Sequence, residues 1–290
     1  MQHRTAVGVM SFSTLLWSLG GLVTRRLETH DGLQIVFWRS AFAALVVLAW
    51  FLWQGSKRPF APLATRAVWV SGSMWAVMFG CYALALSLTR VANVLIVQSL
   101  GPIFTALLAW AVFGRAPGGR TWVAIVVAAA GIAAMYAFDI AGLDARSLAG
   151  VAVALGIPCA AAVNWVQVQR SGRSVDLSAA VFVGTVLSML AALPAAWPLR
   201  ISGHDLAWLA FMGGVQLALP CLLCMRAARE LAAPEAALLS LLETVFGILL
   251  TWAFAGERPG AATFVGGAAV LAALAYKEWP APLRARPRAA

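Results

Sequence analysis

Residues Ser240 to Gly260 read SLLETVFGILLTWAFAGERPG, an apolar run with one glutamate, Glu243, set deep inside it. Residues 99–118, SLGPIFTALLAWAVFGRAPG, echo the later stretch at a constant offset of 142. Phe104, Leu107, Leu108, Trp110, Ala111, Gly114, Pro117 and Gly118 return as Phe246, Leu249, Leu250, Trp252, Ala253, Gly256, Pro259 and Gly260. Thr121 and Val123 return as Thr263 and Val265. Apolar alphabets are small, so scattered identities arise by chance. The cluster W-A-x-x-G-x-x-P-G at a turn between two apolar runs is a stronger sign of duplication. Gly101 is aligned with Glu243, so the carboxylate is not part of the echo.

The apolar character extends along the chain. Of 290 residues, 62% are hydrophobic and 11% charged, against about 25% charged in a typical soluble domain. That is too little polar material to cover a water-soluble globule. Apolar stretches of about 20 residues recur, each long enough to cross a hydrocarbon core of roughly 30 Å as a helix. The chain therefore reads as an integral membrane protein. In lipid, backbone polar groups must be satisfied internally, which leaves helices or closed barrels. Barrel strands alternate over about 10 residues, and these runs are longer and apolar all round. Charges and turn residues divide the chain into ten predicted spans: 5–24, 32–53, 67–88, 91–113, 119–138, 147–169, 177–199, 205–226, 232–255 and 260–279. Connections such as Thr89-Arg90 and Gly256–Pro259 are too short to hold an extramembrane domain.

The net charge of +10 comes from Lys and Arg scattered through loops, with no nucleic-acid-binding motif, so a nucleic-acid partner is excluded. With the N-terminus cytoplasmic, 14 basic residues face the cytoplasm: Arg4, Lys57, Arg58, Arg66, Arg115, Arg120, Arg170, Arg173, Arg226, Arg229, Lys277, Arg284, Arg286 and Arg288. Six face outward: Arg25, Arg26, Arg90, Arg146, Arg200 and Arg258. This bias places both termini in the cytoplasm by the positive-inside rule, in a multi-pass protein of the cell inner membrane. The echo predicts two five-helix halves, 1–140 and 145–280, followed by a disordered basic tail, 281–290. Five is odd, so the second half is inverted, a construction common among secondary transporters.

Other chemistries find no support in the sequence. Cys81, Cys159, Cys221 and Cys224 lie in apolar runs, and the C-x-x-C at 221–224 lacks the second pair or histidine that a metal site needs. His3, His30 and His204 lie at the tail or in loops. No P-loop, H-E-x-x-H or G-x-S-x-G occurs, so neither enzyme chemistry, cofactor nor metal is expected. The first apolar run lacks a small-residue exit and reads as an uncleaved first span.

The ten-helix duplication, Phe37-Trp38-Arg39-Ser40-Ala41 opening the second span, and the L-E-x-V-F … G-E ending of the ninth together resemble the drug/metabolite transporter superfamily, EamA type. The resemblance covers the whole chain. It implies an all-α fold of ten transmembrane helices in inverted repeats, and a small organic metabolite as substrate. In the family each half tends to carry a proline in its fourth-helix element and a G-E at that element's end. Here the first half keeps Pro102 but has Gly114-Arg115, and the second keeps Gly256-Glu257 but has Thr244 for proline.

Polar residues within the spans are the candidate site. Glu243 lies about 15 Å into its span, near the midplane, where a charge costs roughly 2.5–3.5 kcal/mol on insertion scales. It reads as a proton-carrying or substrate-binding carboxylate, or as a structural one between helices. Arg39, some 10 Å from its span's outer end, is open to snorkelling, anion binding, or a charge pair or gate with Glu243. Gln98 and Asn164 are predicted to line the cavity, while Gln167 and Gln216 are further polar groups at similar depth. Trp17, Trp75, Trp165 and Tyr82 lie deep enough to form an organic-substrate pocket by stacking or cation–π contact, or to pack helices. Trp50, Trp53, Trp69, Trp122, Trp197, Trp208 and Trp279 form an interfacial belt. Pro158 and Pro220 fall in mid-span and are candidate hinges. Glu235 reads as a first-turn cap, and Arg226 and Arg229 as headgroup anchors. Gly20-Gly21 and Gly266-Gly267 read as close-packing positions. The expected function is secondary transport of an amino-acid-like or similar metabolite by alternating access, with export preferred and protons as a candidate coupling partner. The alternatives are an uncoupled facilitator or exchanger of metabolites, or a non-transport structural or enzymatic membrane protein; monomer and homodimer both remain open.

Overall fold

The backbone satisfies itself by helix, as lipid requires. The computed structural model describes residues 2–29, 31–54, 61–89, 91–135, 144–172, 177–255 and 260–278, and no strand occurs among them. The loop charges Lys57, Arg58, Arg90, Arg173 and Arg258, the belt residue Trp279 and the tail 281–290 lie outside the described residues. The helices are α1 (His3–Thr24), α2 (Gly32–Trp53), α3 (Arg66–Leu88), α4 (Val91–Gln98), α5 (Gly101–Phe113), α6 (Gly119–Met135) and α7 (Ala145–Ala154). They continue with α8 (Gly156–Ser171), α9 (Ser178–Ala196), α10 (Gly203–Phe211), α11 (Leu219–Ala227), α12 (Ala233–Ser240), α13 (Leu242–Ala255) and α14 (Ala261–Glu278). A π segment, Met212–Ala218, joins α10 to α11. Eight runs, four of them combining two or more elements, are long and apolar enough to cross a membrane, and α6 and α14 are shorter apolar helices.

Four runs predicted as continuous are interrupted, and three of the interruptions stand just before a proline. Pro102 is the second residue of α5, Pro158 the third of α8 and Pro220 the second of α11. A proline has no N–H and crowds the carbonyl four residues back, so the preceding turn cannot continue as regular α-helix. The fourth interruption, at Leu241 between α12 and α13, has no proline. It falls at the position aligned with Ser99 in the echo. The same tight bond recurs in both: Ser99 N–H to Ile96 O at 3.2 Å, and Leu241 N–H to Leu238 O at 3.2 Å.

Local chemistry fixes several ends. Asp31 accepts from Leu33 N and Gln34 N at the start of α2, and Asp144 accepts from Ser147 N at the start of α7. Hydrogen bonds from the Ser147 side chain and backbone hold the Asp144 carboxyl below its ordinary value. Gly114 closes α5 in the left-handed region at φ 69°, where a residue without a Cβ is favoured.

Packing buries polar side chains and leaves apolar ones outside. Ser13, Thr14, Ser40, Ser71, Thr105, Asn164 and Thr185 are fully buried, while Phe254 is 70% and Val265 67% exposed. An apolar exterior of this kind suits a hydrocarbon solvent. Helix α3 packs on α7, α8 and α9, α2 on α9 and the π segment, α1 on α11 and α13, α5 on α8 and α12, and α6 on α14. The α6–α14 contact needs Gly266, where a Cβ would collide with the Gly131 carbonyl. Gly20 faces the Gln216 side chain, whereas Gly21 faces open space.

Candidate functional site

Glu243 lies in the first turn of α13, directly after the break at Leu241. The sequence places it ten residues into a continuous span; the structure puts it at the start of a new helix. The positive end of a helix dipole favours a carboxylate there. Arg39 of α2 stands within electrostatic reach of Glu243, Tyr82 and Cys221. The Arg39 guanidinium sits 5.7 Å from the centroid of the Phe79 ring. Its Nε is buried and has no hydrogen-bond partner among the described residues.

An aromatic row leads from Arg39 towards α1. Trp75 and Phe79 have centroids 5.5 Å apart, and Trp17 and Trp75 6.2 Å apart. Trp75, Phe79 and Tyr82 share one face of α3 by their i, i+4, i+7 spacing. At the α1 end, the Trp17 carbonyl accepts from Gln216 Nε2 at 2.8 Å, and the Cys221 side chain lies close to Trp17. Five elements thus bring Trp17, Arg39, Trp75, Phe79, Tyr82, Cys221 and Glu243 together. Phe79 is not singled out in the sequence, and Cys221 figures there only as half of a C-x-x-C; the helical spacing from Trp75 to Tyr82 carries the signal for Phe79.

Close helix contact positions Arg39. A Cβ on Gly213 of the π segment would lie 2.6 Å from the Arg39 carbonyl and 2.5 Å from Phe42 Cβ. Glycine is what lets this segment reach the backbone of α2 at that residue.

The remaining predicted residues lie elsewhere. Asn164, fully buried on α8, accepts from Ser71 Oγ at 2.5 Å, one turn before Trp75 on α3. Its Nδ2, the Trp75 Nε1, the Gln98 Oε1 and the Gln216 Oε1 are buried with no hydrogen-bond partner among the described residues. Gln98 ends α4, and Gln167 donates to Ser171 Oγ at 3.0 Å. Trp165 is 5% exposed in the main hydrophobic core. Pro158 and Pro220 mark helix interruptions rather than kinks inside one helix.

Polar clusters also stand at the two ends of the bundle. At the end of α1 near the N-terminus, Glu235 accepts from Ala232 N at 3.4 Å, as a cap should. It also meets His3 Nε2 at 2.7 Å and Lys277 Nζ at 3.9 Å. His3 belongs to the first turn of α1, not to a free tail. A cleft of about 260 Å³ opens beside Glu235, between the α5–α6 connection and the ends of α12 and α14. At about 1.5 Å per residue this lies roughly 12 Å along the chain from Glu243, so the cleft is not the aromatic site. At the other end of α1, buried Asp205 accepts from Glu28 N and Thr29 N at 2.9 and 2.8 Å. Glu28, His204 and Asp205 are close enough to share an ion. Both Asp205 oxygens are already engaged, and His204 Nε2 accepts from Trp208 Nε1, so this group is a clasp between the α1–α2 connection and α10. Arg226, expected at the headgroups, lies 5.0 Å from the centroid of the Trp50 ring.

Comparison with known proteins completes the picture. Residues 4–137 and 148–276 each match the model of the EamA-like transporter family. Solute carrier family 35 member G1 of Homo sapiens is 22% identical over 289 positions, covering 92% of this chain and 78% of that protein. A solved crystal structure aligns with a TM-score of 0.83 at 17% identity, covering 96% of this chain and 98% of that one. At that identity the likeness is one of fold.

Proposed function

The chain belongs to the EamA-like transporter family, and from that premise we propose that it is a secondary transporter that moves a small organic metabolite by alternating access. It is a multi-pass membrane protein of a transporter family, and the family speaks against an enzyme. Eight long spans with two shorter apolar helices support a count of ten. The twice-matching family model, the echo at offset 142 and the shared helix break support two halves, 1–140 and 145–280. An odd number of spans in each makes them inverted, with both termini in the cytoplasm of an inner-membrane protein by the charge bias.

The observation that carries this reading is the meeting of Glu243, Arg39 and the row Trp17–Trp75–Phe79 on helices from both halves. A cation, a carboxylate and aromatic faces suit an amino-acid-like substrate. Its carboxylate would face Arg39, and its apolar part the rings. Glu243 is assigned the proton, and Tyr82 lines the same site. The interruptions before Pro158 and Pro220 are the hinges. Export is the preferred direction, and uncoupled facilitation is the alternative.

The test is a proteoliposome transport screen over amino acids, nucleosides and vitamins, with and without a pH gradient. Glu243→Gln is expected to abolish gradient-driven accumulation while the protein still inserts and elutes as a single species. Accumulation with unchanged pH dependence in that variant removes the proton role from Glu243, whereas wild-type transport that only equilibrates the substrate and ignores the gradient leaves the facilitator.

A further inference from the structure

Within the echo one position reverses its charge: Arg115 stands where the later stretch has Glu257. The transport reading makes no use of this reversal. In the structure Arg115 lines the cleft beside Glu235, together with Lys277, Gln169, Phe113 and Pro117. The ends of α5, α8 and α14 and the start of α12 surround it. It therefore lies where spans terminate, at headgroup level.

The polar groups of this cleft reduce to donors. Glu235 is 6% exposed, and its charge is met by His3, by Lys277 and by the Ala232 N–H. The Gln169 carbonyl oxygen accepts from Ala233 N at 2.8 Å, so its amide –NH2 is what remains for a ligand. Arg115 adds a guanidinium, Lys277 the positive charge that faces Glu235, and Thr121 a hydroxyl. Phe113, Pro117 and Ala109 supply an apolar wall. The volume, about 260 Å³, approaches the range of small-molecule sites, roughly 300–1,000 Å³. A guanidinium fork pairs a phosphate in bidentate fashion, whereas a glutamate at 115 would repel it.

We propose that this cleft binds the phosphate of an anionic lipid headgroup, with Arg115 as its principal ligand. Basic pockets between spans at the cytoplasmic face are suited to such headgroups. The proposal rests on the chain's position in a bilayer, not on its substrate, direction or coupling.

The test is native mass spectrometry of the detergent-purified full chain with dioleoyl phosphatidylglycerol, dioleoyl phosphatidylcholine or inorganic phosphate as probes. Wild type is expected to hold phosphatidylglycerol at least tenfold more tightly than phosphatidylcholine. Arg115→Glu, which restores the repeat's residue, should lose at least tenfold, and Arg115→Lys less. Nothing lies within 4 Å of a Cβ built on Gly118, so Gly118→Leu projects a side chain into open space at the cleft and should lose binding without disturbing the fold. Unchanged phosphatidylglycerol affinity in Arg115→Glu and Gly118→Leu overturns the proposal. Equal affinity for phosphatidylcholine overturns it too. Displacement of phosphatidylglycerol by an equal concentration of inorganic phosphate assigns the site to a soluble anion and overturns the lipid assignment. Because binding is read without transport, failure here leaves the transport reading standing, and a failed transport screen leaves this one.

Discussion

Adding one methyl group at Gly213 should separate the π segment from α2, and the neighbouring Gly214 provides an internal control. A Cβ at 213 would lie 2.6 Å from the Arg39 carbonyl and 2.8 Å from the Ala43 nitrogen, where ordinary contact begins near 3.4 Å. Both are backbone atoms, so no rotamer change relieves the clash and the helices must part by about 0.8 Å. Overpacking of this kind costs about 1–3 kcal/mol. At 214 the nearest atom is Val46 Cγ2 at 3.4 Å, already at ordinary contact distance. Replacing glycine by alanine in helical backbone gains about 0.5–1 kcal/mol. That gain is common to both variants and cancels between them, leaving the steric cost. The assay is size-exclusion elution after stepwise heating, read as an apparent midpoint because unfolding of such proteins is often irreversible. Gly213→Ala should melt clearly below Gly214→Ala, which should match or exceed wild type. Equal midpoints would show that the close approach of these two elements does not constrain the fold.

Three further outcomes follow from the same structure. Asp205→Ala should orphan the Glu28 and Thr29 amides at a cost of about 1–3 kcal/mol for each buried group, and hydrogen exchange at those two amides should accelerate; unchanged exchange would remove the clasp. Arg39→Leu should lower the yield of monodisperse protein more than Arg39→Leu with Glu243→Gln, because the single change leaves a carboxylate without its cation; a double variant no better than the single one would dissociate the two charges. In a chain freed of native cysteines, Ala145→Cys should react with an impermeant reagent from outside and Gln54→Cys only from inside; the reversed pattern would invert the topology.

Much of the fold is readable in the sequence because lipid leaves few choices. Twenty apolar residues in hydrocarbon must be helix, so the runs locate the spans. The breaks were harder to read. Pro158 and Pro220 point to interruptions, but whether a proline kinks a helix or ends it depends on the neighbours that satisfy the freed carbonyl. At Leu241 no residue type marks the break, and only its alignment with Ser99 gives it away. The site was legible in part. Glu243, Arg39, Trp17, Trp75 and Tyr82 stand out as costly or large groups at depth. Phe79 and Cys221 do not, since an apolar residue in an apolar span carries no excess cost. Asn164 stood out for the same reason as Glu243, yet it meets Ser71 instead of the charged pair.

The break at Leu241 and the carboxylate at Glu243 account for one another. A charge at the midplane costs roughly 2.5–3.5 kcal/mol on insertion scales. The start of a helix returns about 0.3–1 kcal/mol, and up to about 2 in partly buried geometry. The dipole therefore offsets part of that cost and leaves a remainder of about 0.5–3 kcal/mol. Arg39, held on α2 by the contact at Gly213, is the cation within reach to supply it. The same break in the first half carries Gly101 at the aligned position, with no charge to stabilise, and there Pro102 alone ends the preceding turn. Duplication thus kept the interruption in both halves. In one half it serves the backbone alone, and in the other it supports a charge whose energetics tie α13 to α2 across the bundle. A carboxylate that depends on two elements for its stability is sensitive to their separation, so under the proposed alternating access a change in the spacing of α2 and α13 would reach Glu243 directly.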